Sequence, residues 1–158
     1  MTRLLYILRH AQSAGKQSGQ RDYERNLTAE GEAKALSLGI KLKHLNNNID
    51  LIISSGATRA RHTAVSVNKT LQLPSEKIQF KTELYDALIP EWMGQIHKLP
   101  NEVHAVMLVG HNPWLSVLAT NFHDAMVDLE PCELIVFKFD VASWEEIENS
   151  GEEILNIK

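Results

Sequence analysis

The feature that most constrains this 158-residue chain is a set of short runs that are apolar at nearly every position. Leu4–Leu8, Asp50–Ser54 ("DLIIS") and His104–Gly110 ("HAVMLVG") show almost no polar alternation. A strand with one wet face alternates, whereas a continuous apolar run belongs to a strand covered on both faces, as in parallel sheets. Between the runs the pattern becomes helical. Thr28 is placed to cap a helix over about Ala29–Leu45. Ala29, Ala33, Leu36 and Ile40 share one face of it, with Leu38, Leu42 and Leu45 roughly opposite, so packing on two sides is expected.

A second helix runs from the Ser54–Gly56 cap to about Leu71, followed by a short strand at Ile78–Phe80 and a short helix over 90–98 begun by Pro90. Pro113 opens a helix whose apolar face is Leu115, Leu118, Ala119 and Phe122. "ELIVFKFD" is a strand, and "SWEEIENSGEEILNI" reads as a closing hairpin turning near Asn149–Gly151. Buried strands alternating with helices predict one α/β domain over residues 1–158, a three-layer α/β/α sandwich on a largely parallel sheet.

Charge and composition narrow the function. The net charge of −4, with no basic tail, disfavours nucleic-acid binding. No segment approaches 18 apolar residues, so no membrane span is expected. The single cysteine, Cys132, sits in an apolar run and reads as core, consistent with a reducing, cytoplasmic setting. There is no HxxxH or CxxC pair, so neither a metal site nor another cofactor is expected. Trp92, Trp114 and Trp144 read as packing anchors, and His44, His62, His97, His104 and His123 as surface or structural residues. Residues 12–26 form a long polar loop, whose Ser13, Lys16 and Arg25 could line a site mouth.

Three strand ends carry the chemistry. The first ends in Arg9-His10, the second leads into "SSGATRARHTA", and the fourth ends in Gly110-His111-Asn112-Pro113. Parallel strands deliver such ends to one edge, where α/β sheets bind ligands. Arg59 and Arg61 differ by about 200° around a helix, so at most one faces a given pocket. Arg59, in the first turn with Thr63 four residues on, is favoured over Arg61. Arginines present planar charged donors to phosphate oxygens, and a neutral imidazole beside them can attack phosphorus. Cationic neighbours would also keep that imidazole unprotonated.

These segments resemble the histidine phosphatase superfamily, the phosphoglycerate-mutase-like fold. "LRHAQS" is similar to its Arg-His-Gly signature, "NLTAEGEAKA" to its "LTxxGxxQA" helix start, "SSGATRARHTA" to its "SSxxxRAxxTA" element, and "LVGHNP" to its second-histidine segment. The likeness spans residues 3–120, and the shortness of the chain is most similar to small SixA-type phosphohistidine phosphatases. It implies a metal-independent phosphatase with no cofactor, working through a phosphohistidine intermediate on a phosphorylated protein or a small phosphorylated substrate. His10 then matches the nucleophile, Arg9 and Arg59 the phosphate-pocket arginines, and His111 the second phosphate-binding histidine. In "KTELYDA", Glu83 is the nearest match to the general acid, with Asp86 the alternative. Ala11 replaces the signature glycine, which motivates a competing reading as a phosphate-binding module without catalysis. The methyl group is tolerable if the backbone there stays at negative φ.

Overall fold

The computed structural model describes residues 1–158, with strands β1 (Thr2–Arg9), β2 (Leu51–Ser55), β3 (Ile78–Lys81), β4 (Ala105–Gly110), β5 (Leu134–Asp140) and β6 (Glu152–Ile157). The helices are α1 (Ala29–His44), α2 (Thr58–Leu71), α3 (Ile89–His97) and α4 (Trp114–Phe122). All six strands form one sheet in the order β3-β2-β4-β1-β5-β6. β1, β2, β3 and β4 are mutually parallel, and β5 runs against both β1 and β6. No helix is long and apolar enough to cross a membrane.

Successive side chains of a strand point to opposite faces, and β1 shows the consequence. Leu5 and Ile7 enter a core with Trp92, Leu118, Phe122 and Phe137, under α3 and α4. Tyr6 and Leu8 enter a second core with Ala35, Leu38, Ala60, Ala64 and Val67, under α1 and α2. The three-layer α/β/α expectation therefore holds, and the all-apolar runs are explained by cover on both faces.

Two expectations need correction. The α1 helix packs on one side only. Its buried residues are Gly31, Ala35, Leu38, Gly39 and Leu42, while Leu36, Ile40 and Leu45 are exposed. Gly31 and Gly39 extend the buried face where an apolar count finds nothing. The closing hairpin is also paired differently: β6 pairs with β5, and Trp144–Glu146 is a helical turn rather than a strand. The Glu146 carboxylate accepts from the Ser143 amide at 3.1 Å and its hydroxyl at 3.2 Å to cap that turn, and the buried Trp144 indole donates to the Val103 carbonyl at 2.7 Å. Arg3, also buried, reaches the carbonyls of Asn101, Val103 and Ala142, clamping these segments at the amino end of β1.

The α1–α2 contact generates a test. A Cβ on Gly39 would lie 2.4 Å from the Val67 carbonyl oxygen, whereas one on Gly94 in α3 meets nothing within 4 Å. Alanine gains about 1 kcal/mol of helix propensity over glycine at either position. Overpacking against backbone that cannot step aside costs about 1–3 kcal/mol. Gly94→Ala should therefore raise the urea midpoint and Gly39→Ala lower it. Equal stabilisation by both substitutions would contradict the close approach of α1 to α2.

Candidate active site

Strand register builds the site. Arg9 on β1 is level with Gly110 on β4, and the His10 amide donates to the Gly110 carbonyl at 2.9 Å. The residues that follow, His10 and His111, therefore leave the sheet side by side, with ring centroids 5.2 Å apart. Ser55 closes β2 at the same edge and shares a 2.8 Å hydrogen bond with His111 Nε2.

The first turn of α2 supplies the arginine. Arg59 is buried and its Nε donates to His10 Nε2 at 3.3 Å. Thr63, one turn on, accepts from the Ala11 amide at 2.9 Å and donates to the Arg59 carbonyl at 2.7 Å, joining the nucleophile segment to α2. Arg61 is exposed and lies over the Phe80 ring at 4.9 Å, so it faces away. Arg9 donates to the Leu129 carbonyl at 2.9 Å, while its Nε is buried without a protein partner.

A hydrogen bond to a backbone carbonyl selects the His10 tautomer. The Ala11 carbonyl can only accept, so His10 Nδ1, at 2.7 Å from it, carries the proton. His10 Nε2 is then a lone pair, in keeping with the Arg59 N–H that points at it. The Ser55 hydroxyl accepts from the Ala57 amide at 3.2 Å and shares a second bond with His111 Nε2, in which either group can donate. His111 Nδ1 is buried without a protein partner, and it carries the ring proton when Ser55 donates to Nε2.

Both rings are held neutral. Burial is the first cause lowering His10 to about 4, with Arg59, Arg9 and Arg25 adding to it and the Ala11 carbonyl opposing. Burial also comes first in lowering His111 to about 3, followed by His10 and Arg59. The charge argument made on the sequence is correct in direction, but desolvation is the larger cause.

A cavity of about 280 Å³ opens at this edge, bounded by Asp22, Arg59, Tyr85, Asp86, His111 and residues 112–114. Asp22 was not singled out from the sequence. Its carboxylate takes Arg59 Nη2 at 3.0 Å, Arg25 Nη1 at 3.0 Å and the Tyr85 hydroxyl, and its carbonyl takes Arg59 Nη1 at 2.8 Å. The Tyr85 hydrogen bond foremost, then Arg25 and Arg59, hold Asp22 well below the usual carboxylate range. Arg25 also bonds Ser13 Oγ and the Ala14 carbonyl, so it ties the 12–26 loop together, and Lys16 is exposed.

Of the two acid candidates, Glu83 is exposed on the turn Thr82–Leu84 and does not line the cavity, whereas Asp86 does. Trp114, expected as a packing anchor, instead stands 38% exposed at the cavity mouth, while Trp92 and Trp144 are buried. Ala11 is not at positive φ and its side chain is fully buried in the α1–α2 core, so the segment has no need of glycine's extra conformations there. Cys132 is buried and burial pushes its thiol up to about 11, away from nucleophile chemistry. No three His, Cys, Asp or Glu side chains are grouped to hold a metal ion.

The model of the histidine phosphatase superfamily (branch 1) matches residues 5–108. An uncharacterised chloroplastic protein of Arabidopsis thaliana is 29% identical over 155 residues, 92% of this chain and 71% of that protein. An uncharacterised protein of Mycobacterium tuberculosis is 30% identical over 112 residues, 71% of this chain and 67% of that one. Among solved structures, the "putative phosphohistidine phosphatase SixA" from Agrobacterium tumefaciens superposes with a TM-score of 0.77 at 29% identity, covering 85% of this chain and 90% of that one. A protein histidine phosphatase SixA complexed with tungstate gives 0.83 at 22% identity, over 98% and 96% of the two chains, and bears on the fold alone.

The buried imidazoles give a pH prediction with a definite sign. A free histidine titrates near about 6.5, and His10 in the fold near about 4. Between these values the unfolded chain binds a proton that the folded chain refuses. The stability from this difference is full above about pH 6.5 and is lost as the pH falls toward 4. In the phosphate-free protein, NMR titration should place the His10 and His111 midpoints below about pH 5. Midpoints near about 6.5 would refute the buried, neutral assignment.

Proposed function

The chain belongs to the histidine phosphatase superfamily, branch 1, and from that premise we propose that it hydrolyses phosphohistidine on a protein, through a phosphorylated His10 and without a metal ion or other cofactor. The observation that carries this reading is the His10 tautomer. Its Nδ1–H is committed to the Ala11 carbonyl, leaving Nε2 as a buried, unprotonated nucleophile beside the Arg59 guanidinium.

In this reading the Arg59 Nε–H leaves Nε2 for the incoming phosphoryl group, and the freed lone pair attacks phosphorus in line as the bond from phosphorus to the leaving group breaks. Arg59 keeps one N–H on each Nη beyond those given to Asp22, and these meet two phosphoryl oxygens. The unspent His111 Nδ1–H meets the third, with Arg9 adding positive potential from behind. Fixed donors of this kind stabilise the charge that spreads over the equatorial oxygens. His10 gains positive character as its new N–P bond forms, and the Ala11 carbonyl on Nδ1–H stabilises that form.

The leaving nitrogen or oxygen needs a proton. Asp22 cannot supply it, because its partners keep it ionised. Asp86, at the cavity wall, takes that role in preference to Glu83. In the second step Asp86 accepts a proton from water, whose oxygen attacks phosphorus, and the N–P bond breaks to return Nε2 to its lone-pair state. The SixA-type neighbour at 29% identity, named a "putative phosphohistidine phosphatase", is in keeping with a phosphohistidine substrate here.

Rapid quench with an aryl phosphate tests the scheme. The wild type should give an acid-labile, base-stable phosphoenzyme that maps to His10, and His10→Ala should form none and lose at least about 10³-fold in turnover. Asp86→Asn should slow poor leaving groups by about 10²-fold, and Glu83→Gln should leave them unchanged. Turnover that survives in His10→Ala would overturn the mechanism.

A further inference from the structure

A larger cavity, about 540 Å³, lies beside the phosphate pocket and shares Asn112 and Pro113 with it. One wall is a stripe of α4, with Ser116, Val117 and Thr120, and the other is Met126 and Val127. The walls are braced across the base. The Val127 amide donates to Thr120 Oγ1 and the Leu129 amide to Ser116 Oγ, each at 2.9 Å. Ser116 Oγ in turn holds Asn112 Oδ1 at 2.7 Å, which couples the groove to the segment that carries His111. Above this framework Val117 is 38% and Met126 89% exposed, and Trp114 stands at the junction with the phosphate pocket.

Continuity limits the occupant. A substrate with its phosphoryl group on His10 reaches the groove by running past Asn112 and Pro113, the two residues that line both cavities. The charges limit it further. The groove contains Asp128 and no cation, and the pocket wall adds Asp22 and Asp86. Arg59 is the only cation lining either cavity, and the phosphoryl group claims it. A metabolite with a second phosphate or carboxylate would meet Asp128 in the groove with no cation to offset it. An apolar side chain finds methyl and thioether surface.

We propose that this groove is the docking subsite for the polypeptide beside the phosphorylated residue, taking an apolar neighbour between α4 and residues 126–128. The inference rests on the protein-phosphatase reading and adds to it the surface that selects the substrate.

The test compares a small carrier protein, phosphorylated on histidine with phosphoramidate and carrying an apolar residue beside it, with para-nitrophenyl phosphate. Val117→Asp and Met126→Asp should each lower kcat/KM on the phosphoprotein at least tenfold, through KM, and change aryl phosphate hydrolysis less than twofold. Val117→Ala and Met126→Ala, which add no charge, should shift KM the same way by a smaller factor. Unchanged thermal midpoints establish that the variants are folded. Phosphoprotein kinetics unaltered in all four variants, or equal losses on both substrates, would overturn the docking surface. A wild type that turns over the aryl phosphate but no phosphoprotein would overturn the protein-substrate reading and this occupant with it.

Discussion

The parallel pairing of β1 with β4 is the constraint on which the site depends. It runs in register from Leu4 opposite Ala105 to Arg9 opposite Gly110, and the His10 amide adds one more bond to the Gly110 carbonyl. A slip of one residue would turn every β1 side chain to the other face, exchanging Leu5 and Ile7 with Tyr6 and Leu8 between the two cores. Because each core is separately filled, such a slip is strongly disfavoured. The apolar strand interiors therefore fix where the two histidines emerge. Packing energy is thereby turned into the geometry of the site, which Thr63 and Asp22 then brace.

Burial then sets the chemical state. A histidine in water is part-protonated near neutrality, and an imidazolium cannot attack. Here desolvation keeps both rings neutral, and the arginines push the same way. The cationic cluster carries a counterweight, since Asp22 sits between Arg59 and Arg25 and stays ionised. Its contacts hold Arg59 in place through both Nη atoms and leave Nε facing His10. The 12–26 loop is thus part of the site's electrostatics.

Much of this was legible in the sequence because strand ends and helix phase are local signals. The apolar runs placed the sheet, the strand ends placed His10 and His111, and a difference of about 200° in helix phase allowed only one arginine inward, with the first-turn position favouring Arg59 over Arg61. Asp22 escaped because its role comes from partners 37 and 63 residues away, and its own loop has no periodicity. The exposure of Leu36 and Ile40 escaped because a count of apolar residues cannot see that Gly31 and Gly39 let α1 approach its neighbours closely. Trp144 read as a strand residue because its neighbours alternate, yet a capping box folds them into a turn that buries the indole. Glu83 and Asp86 were not separated because they are three residues apart on an irregular segment, and only the path of the chain decides which lines the cavity.

The central claim is that His10 presents Nε2 as a neutral in-line nucleophile while Nδ1 stays on the Ala11 carbonyl. A crystal structure with vanadate tests it most directly. The account predicts vanadium bound axially to His10 Nε2, equatorial oxygens within hydrogen-bond reach of Arg59 and His111 Nδ1, and the Nδ1–Ala11 contact retained. An oxyanion bound away from Nε2, or a His10 ring turned to present Nδ1, would contradict it.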